Sequence, residues 1–173
     1  MHVLIAADAP WLVDEIVAAL GGSDTSFTVC NEGREVAKVL AARAGGDDEV
    51  DLAVFDLQIG SMGGMAVTMA MRLDASSGSG PDVPVLMLLD RLADVHLARR
   101  SGADGWLVKP LDPLRLRRAA RTVRSGDSYQ EGLGGVVVVS AAEREGEVEA
   151  VEEEGRSEDS TAEPAGQEPA AAG

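Results

Sequence analysis

Five short apolar runs that do not alternate with polar residues restrict the fold of this chain more than any other feature. They are HVLIAA, FTVC, DLAVF, VPVLMLL and GWLVK, in that order along the sequence. A strand with one face in water alternates apolar and polar residues, so a continuous run implies that both faces are covered. Between the runs lie amphipathic stretches. PWLVDEIVAAL sets Leu12, Val13, Ile16, Val17 and Leu20 at helical spacing, and PLRLRRAARTV does the same with Leu116, Ala119, Ala120 and Val123. Asp112 followed by Pro113 marks a helix start, with a capping carboxylate before a proline at the first helical position. The pattern predicts an α/β chain: a doubly wound (βα)5 sandwich around a five-stranded parallel sheet, complete within residues 1–124.

Composition agrees with that architecture. Only five of the 173 residues are aromatic, so the core must be built from Val, Leu, Ile, Ala and Met. The single Cys30 lies in an apolar run, where a buried structural thiol is expected and an internal disulfide is impossible. No apolar run reaches the roughly 18 to 20 residues of a membrane span, and the start lacks the pattern of a secretory leader. The expected location is cytoplasmic, with no membrane contact.

Of the net charge of −15, about nine units fall in residues 140–173, which hold eleven acidic and two basic residues. Such a surface does not attract phosphate backbones, so no direct nucleic-acid partner is expected. After Arg124 the segment SGDSYQEGLGG and four valines, 125–139, read as a flexible linker with a short apolar segment, for which an added strand, a docking peptide or an unstructured patch are all open. Residues 140–173 read as a disordered acidic tail.

In open parallel sheets, ligands gather beyond the carboxyl ends of the strands, so the residues just after each run are the informative ones. Those are Asp8 after the first run, Asp56 after the third, Asp90 after the fourth and Lys109 after the fifth. Clustered carboxylates with a fixed cation suit Mg²⁺, which prefers oxygen ligands. A carboxylate so placed can attack a phosphoryl group in line, because the cations neutralise the transferred oxygens. Asp8 also reads as a helix cap before Pro10, Lys109 as a surface lysine, and Asp90 above all as the cap of the helical stretch RLADVHLARR. His2 and His96 stand alone and read as structural or solvent-exposed. No glycine-rich phosphate loop follows the first run, so an independent enzyme is not expected.

The segments VLIAADAP, DLAVFDLQIGSMGGM, PVLMLL and GADGWLVKPLDP, in this order and spacing, resemble the receiver domain of two-component response regulators over about residues 1–124. The resemblance implies the flavodoxin-like receiver fold, with Asp56 the phosphorylated aspartate and Lys109 the lysine that contacts the phosphate. It further implies Mg²⁺ held by Asp8, Asp56 and the backbone carbonyl of Gln58, a cis Lys109–Pro110 peptide, Trp106 at the switch aromatic position, and Gly64 as the glycine ending the loop after the acceptor. Implied partners are a histidine kinase or phosphotransfer protein, and a downstream protein docking on the last two helices; a homodimer is compatible with this.

Four positions depart from the family pattern. Ala7 stands where a second acid is usual, Leu89 where a Ser or Thr hydroxyl bonds the phosphoryl oxygen, Asp90 where a small residue is common, and Gly60 where proline is common. A carboxylate at 90 within reach of Lys109 would hold it in an ion pair. Arg115, Arg117, Arg118, Arg121 and Arg124, with Arg99 and Arg100 before them, read as a solvated face or as a docking surface shielded by the acidic tail. Two functions follow: a stand-alone response regulator phosphorylated on Asp56 and signalling by protein contact, or a pseudo-receiver acting as an interaction scaffold without phosphate.

Overall fold

In a computed structural model of the chain, which describes residues 1–132 and 134–143, the apolar runs form the strands β1 (His2–Ala6), β2 (Ser26–Cys30), β3 (Leu52–Asp56), β4 (Val85–Leu89) and β5 (Gly105–Val108). The helices between and after them are α1 (Pro10–Leu20), α2 (Val36–Arg43), α3 (Gly64–Ser76), α4 (Val95–Ser101) and α5 (Pro113–Arg124). All pairings among β1 to β5 are parallel, in the order β2-β1-β3-β4-β5. The residues up to Ser140 form one unit.

Continuous apolar strands serve two cores at once, because successive side chains point to opposite faces. Val3, Ile5, Val54, Leu86 and Leu88 pack with Leu12, Ile16, Leu116 and Val123 of α1 and α5. Leu4, Ala53, Phe55 and Val85 face Val36, Leu40, Val67 and Met71 of α2 and α3. Met87, Leu89 and Trp106 pack with Ala98 of α4. Cys30 is buried, as expected. Asp112 caps α5 by accepting from the Arg115 amide at 2.8 Å, with Pro113 as the first helical residue.

The sheet is larger than the five strands expected. Residues 125–139 are not a flexible linker: β6 (Ser128–Gly132) pairs parallel with β5, and β7 (Gly135–Val139) returns antiparallel on β6, giving a seven-stranded sheet. Tyr129 and Ser128 are buried, whereas Val136, Val137 and Val138 on the outer strand are exposed. Gly105 permits the addition, since a Cβ there would lie 2.6 Å from Val123 Cγ2 and 2.8 Å from the Tyr129 carbonyl. The acidic tail expected over 140–173 lies outside the described residues from 144 onward. Among the described residues, no helix is long and apolar enough to cross a membrane.

Candidate functional site

Strand β1 pairs with β2 on one side and β3 on the other, so the chain order reverses at the β1–β3 crevice, where ligands of such sheets bind. Asp56, the last residue of β3, lies there, 4% exposed. Its Oδ1 accepts from Lys109 Nζ at 2.8 Å and from the Gln58 amide at 3.3 Å. Both of these bonds fall on Oδ1. Lys109 Nζ also meets Asp90 Oδ1 at 3.1 Å. Burial pulls the Lys109 pKa down, but the hydrogen bonds and charges of Asp56 and then Asp90 outweigh it, so the pKa lies above the ordinary lysine value. The ammonium is a fixed charge at neutral pH.

Asp90 is therefore a partner of Lys109 and not the helix cap expected of it. The segment after β4 enters a 3-10 turn at Leu92–Asp94 with Arg91 at the cap position, and α4 begins only at Val95. Asp94 is held instead by Arg91, 3.1 Å away. The capping reading of Asp8 is also replaced: Ala9 occupies the cap position of α1 and makes no side-chain bond.

Asp8 lies across the same crevice, exposed, its Oδ2 accepting from the Gly60 amide at 3.3 Å. The loop after β3 is thus tied to both acids, by Gln58 to Asp56 and by Gly60 to Asp8. It packs closely on its other side. The Gly33 amide donates to the Gly60 carbonyl, and a Cβ at Gly33 would overlap the Met62 carbonyl at 1.8 Å. Gly64 ends the loop as the first residue of α3, where a Cβ would come within 2.6 Å of the Asp56 carbonyl. Both positions exclude any side chain.

Two carboxylates and a backbone carbonyl are hard oxygen donors that suit Mg²⁺ retaining several waters. The donor set is thin. Among the described residues, no group of three or more His, Cys, Asp or Glu side chains is arranged to hold a metal. The reason lies at residue 7: Ala7 is fully buried in the cluster between the sheet and α1/α5.

The Lys109–Pro110 peptide is cis. Leu89 is fully buried and apolar, so it brings no hydroxyl to the site. Trp106 is 2% exposed, its indole donating to the Glu131 carbonyl at 2.8 Å, with Arg99 5.8 Å from the ring centroid. Of the arginines on α5, Arg115 is bound to Glu131 and Arg117 to the Ala19 carbonyl, while Arg118, Arg121 and Arg124 remain exposed. His2 is buried between Ser26 Oγ and Thr28 Oγ1, and His96 is exposed. Sequence reasoning missed Glu131 altogether. The signal was present as a Gly-containing turn, GLGG, between SYQE and VVVV, a hairpin pattern obscured by its polar composition.

Comparison with known proteins agrees with this geometry. The family model described as the response regulator receiver domain matches residues 3–121. The DNA-binding response regulator MtrA of Mycolicibacterium smegmatis is 30% identical over 136 residues, covering 76% of this chain and 55% of that protein. The MtrA protein of Mycobacterium leprae is also 30% identical, over 56% of its length. The chain thus spans about half the length of these curated relatives. Among solved structures, the chemotaxis response regulator CheY4 of Vibrio cholerae has a TM-score of 0.59 at 26% identity, covering 70% of this chain and 97% of its own. The receiver domain of a signal transduction histidine kinase from Syntrophus aciditrophicus has a TM-score of 0.60 at 22% identity, covering 72% and 90%, and shows the fold alone.

Proposed function

The chain belongs to the response regulator receiver family, and from that premise we propose that Asp56 accepts a phosphoryl group from a histidine kinase or phosphotransfer protein in two-component signalling. The observation that carries this reading is the pairing of Asp56 Oδ1 with Lys109 Nζ at 2.8 Å, which sets a lysine charge beside a buried carboxylate at the end of β3. The Asp56 carboxylate attacks the phosphorus in line. The new O–P bond forms as the N–P bond of the donor phosphohistidine breaks, and its electron pair returns to the imidazole nitrogen. Lys109 holds the carboxylate in orientation and meets the added negative charge. Asp8, Asp56 and the Gln58 carbonyl would hold Mg²⁺, which when bound neutralises phosphoryl oxygens.

Output through protein contact is the matching proposal for signalling, with the exposed Arg118, Arg121 and Arg124 of α5 and Arg99 and Arg100 of α4 offered to an acidic partner. Incubation with Mg²⁺ and acetyl phosphate, followed by intact-mass measurement, tests the acceptor. Wild type is expected to gain one phosphoryl mass and Asp56→Asn none.

A second reading rests on a specific pair of residues. Leu89 brings no donor to the phosphoryl site, and Asp90 already neutralises Lys109 at 3.1 Å. Together they favour a scaffold held in one conformation without phosphate. Failure of the wild type to gain mass, under conditions that label an ordinary receiver, selects that reading.

A further inference from the structure

The ladder between β5 and β6 stops early. Its pairs are Gly105 with Tyr129 and Trp106 with Gln130. Beyond them one side chain continues the work of the strand: Glu131 Oε2 accepts the Val108 amide at 2.9 Å, one residue before Lys109. Arg115 closes the arrangement from α5. Its Nη1 donates to Glu131 Oε1 at 3.0 Å, and its Nη2 donates to the carbonyls of Val108 at 3.0 Å and Pro110 at 2.9 Å. The Glu131 carbonyl meanwhile holds the indole of Trp106. Lys109 is therefore bracketed on both sides by backbone groups that answer to the hairpin, while its ammonium answers to Asp56 and Asp90.

We propose that the β6–β7 hairpin is coupled to the acceptor site, with Glu131 as a positioning residue that fixes the Val108–Pro110 segment and through it Lys109. The hairpin lies beyond residues 3–121, which match the receiver family. It adds to that domain a strand docked on the edge of β5. A change in what Lys109 binds then loosens or tightens the clasp, and a change in hairpin docking shifts Lys109. The proposal rests on Lys109 belonging to the acceptor site, but its central claim is mechanical and is measured without phosphate.

The test is hydrogen exchange by NMR on the full chain, comparing wild type with Lys109→Met, which removes both ammonium contacts and keeps an unbranched side chain. The Val108 amide and the Trp106 indole are expected to exchange about tenfold faster in the variant, with Val3 to Ile5 amides in β1 unchanged. Exchange at those two groups within about twofold of wild type overturns the coupling. The reverse direction uses the phosphodonor: Glu131→Ala slows the gain of phosphoryl mass about fivefold, and Glu131→Gln, which keeps an acceptor for the Val108 amide, restores most of the rate. Equal rates in all three chains overturn the positioning role. A wild type that gains no mass overturns the phosphoacceptor reading, and the exchange result then decides the coupling by itself.

Discussion

Among the described residues, two cations each bridge a pair of carboxylates, at opposite ends of the sheet, and they do so in different ways. At the amino ends of β4 and β5, Arg72 binds Asp82 at 2.6 Å and Asp104 at 2.5 Å, and also donates to the carbonyls of Gly102 and Val83. Asp104 in turn accepts the Val85 amide. At the carboxyl ends, the Lys109 ammonium binds the side chains of Asp56 and Asp90 and, among the described residues, no backbone carbonyl. The planar fork of Arg72 spends its donors on fixed main-chain groups, whereas Lys109 is a point charge between two side chains that can exchange partners. The first cluster is a fastening. The second is the one in which the proposed phosphorylation would add a new charge.

The largest expected effect breaks the chemistry and spares the fold. Lys109→Met should lower the rate of phosphoryl transfer to Asp56 on the order of a hundredfold, read by intact mass over time, because a preorganised cation at the developing charge is lost. Arg72→Ala should do the opposite, lowering unfolding free energy by about 3 kcal/mol in urea while leaving the rate of transfer within about twofold, since it removes charge-assisted bonds far from the crevice. Asp90→Asn sharpens the contrast within the site itself. It frees Lys109 from one competing anion, and labelling of Asp56 should speed up about threefold with stability changed by less than about 0.5 kcal/mol.

The smallest effect concerns His2, held neutral at the amino end of β1. Burial first, and then the charge of Arg43, place its pKa below the ordinary histidine value. The folded state therefore binds fewer protons than the unfolded chain, and stability should fall as the pH drops below about 6.5 and level off once the folded-state pKa is passed. His2→Gln should remove that part of the pH dependence, which urea midpoints at pH 7 and pH 5 measure directly. Lys109 should not contribute to it, because its pKa is raised and its charge is constant over that range.

The parts legible in the sequence were those where one physical cause dominates. Continuous apolar runs dictate strands covered on both faces, so β1, β3, β4 and β5 fell where expected, as did the two cores. Asp56 and Lys109 were legible because a charge at the end of such a run must point out of the sheet, into the crevice. Asp90 was legible only as two competing uses, a helix cap or an ion pair with Lys109, and the late start of α4 at Val95 together with the 3.1 Å contact decides for the ion pair. Glu131 was missed for a further reason, beyond the obscured hairpin pattern. Its role depends on register across three elements, β5, β6 and α5, none of which reveals the others locally. The Gly-rich composition of residues 125–135 suggested freedom, but glycine also permits close approach, and at Gly105 and Gly135 it permits docking and turning.

The order of strands across the sheet has a consequence for how the protein is made. Of the described strands, β1 is synthesised first and becomes an interior strand, waiting for β2 on one side and β3 on the other. From β3 onward, each new strand joins the outer edge left by the one before it, through β4, β5 and β6, with β7 last. Spatial order and temporal order coincide along that whole side, so at no stage must a later strand insert between two earlier ones. Domains that begin to fold during synthesis gain from such a vectorial plan, because every intermediate carries only one growing margin to be protected. Among the described strands the hairpin comes last, and its arrival ends the interval in which the margin of β5 lies open to a neighbouring chain.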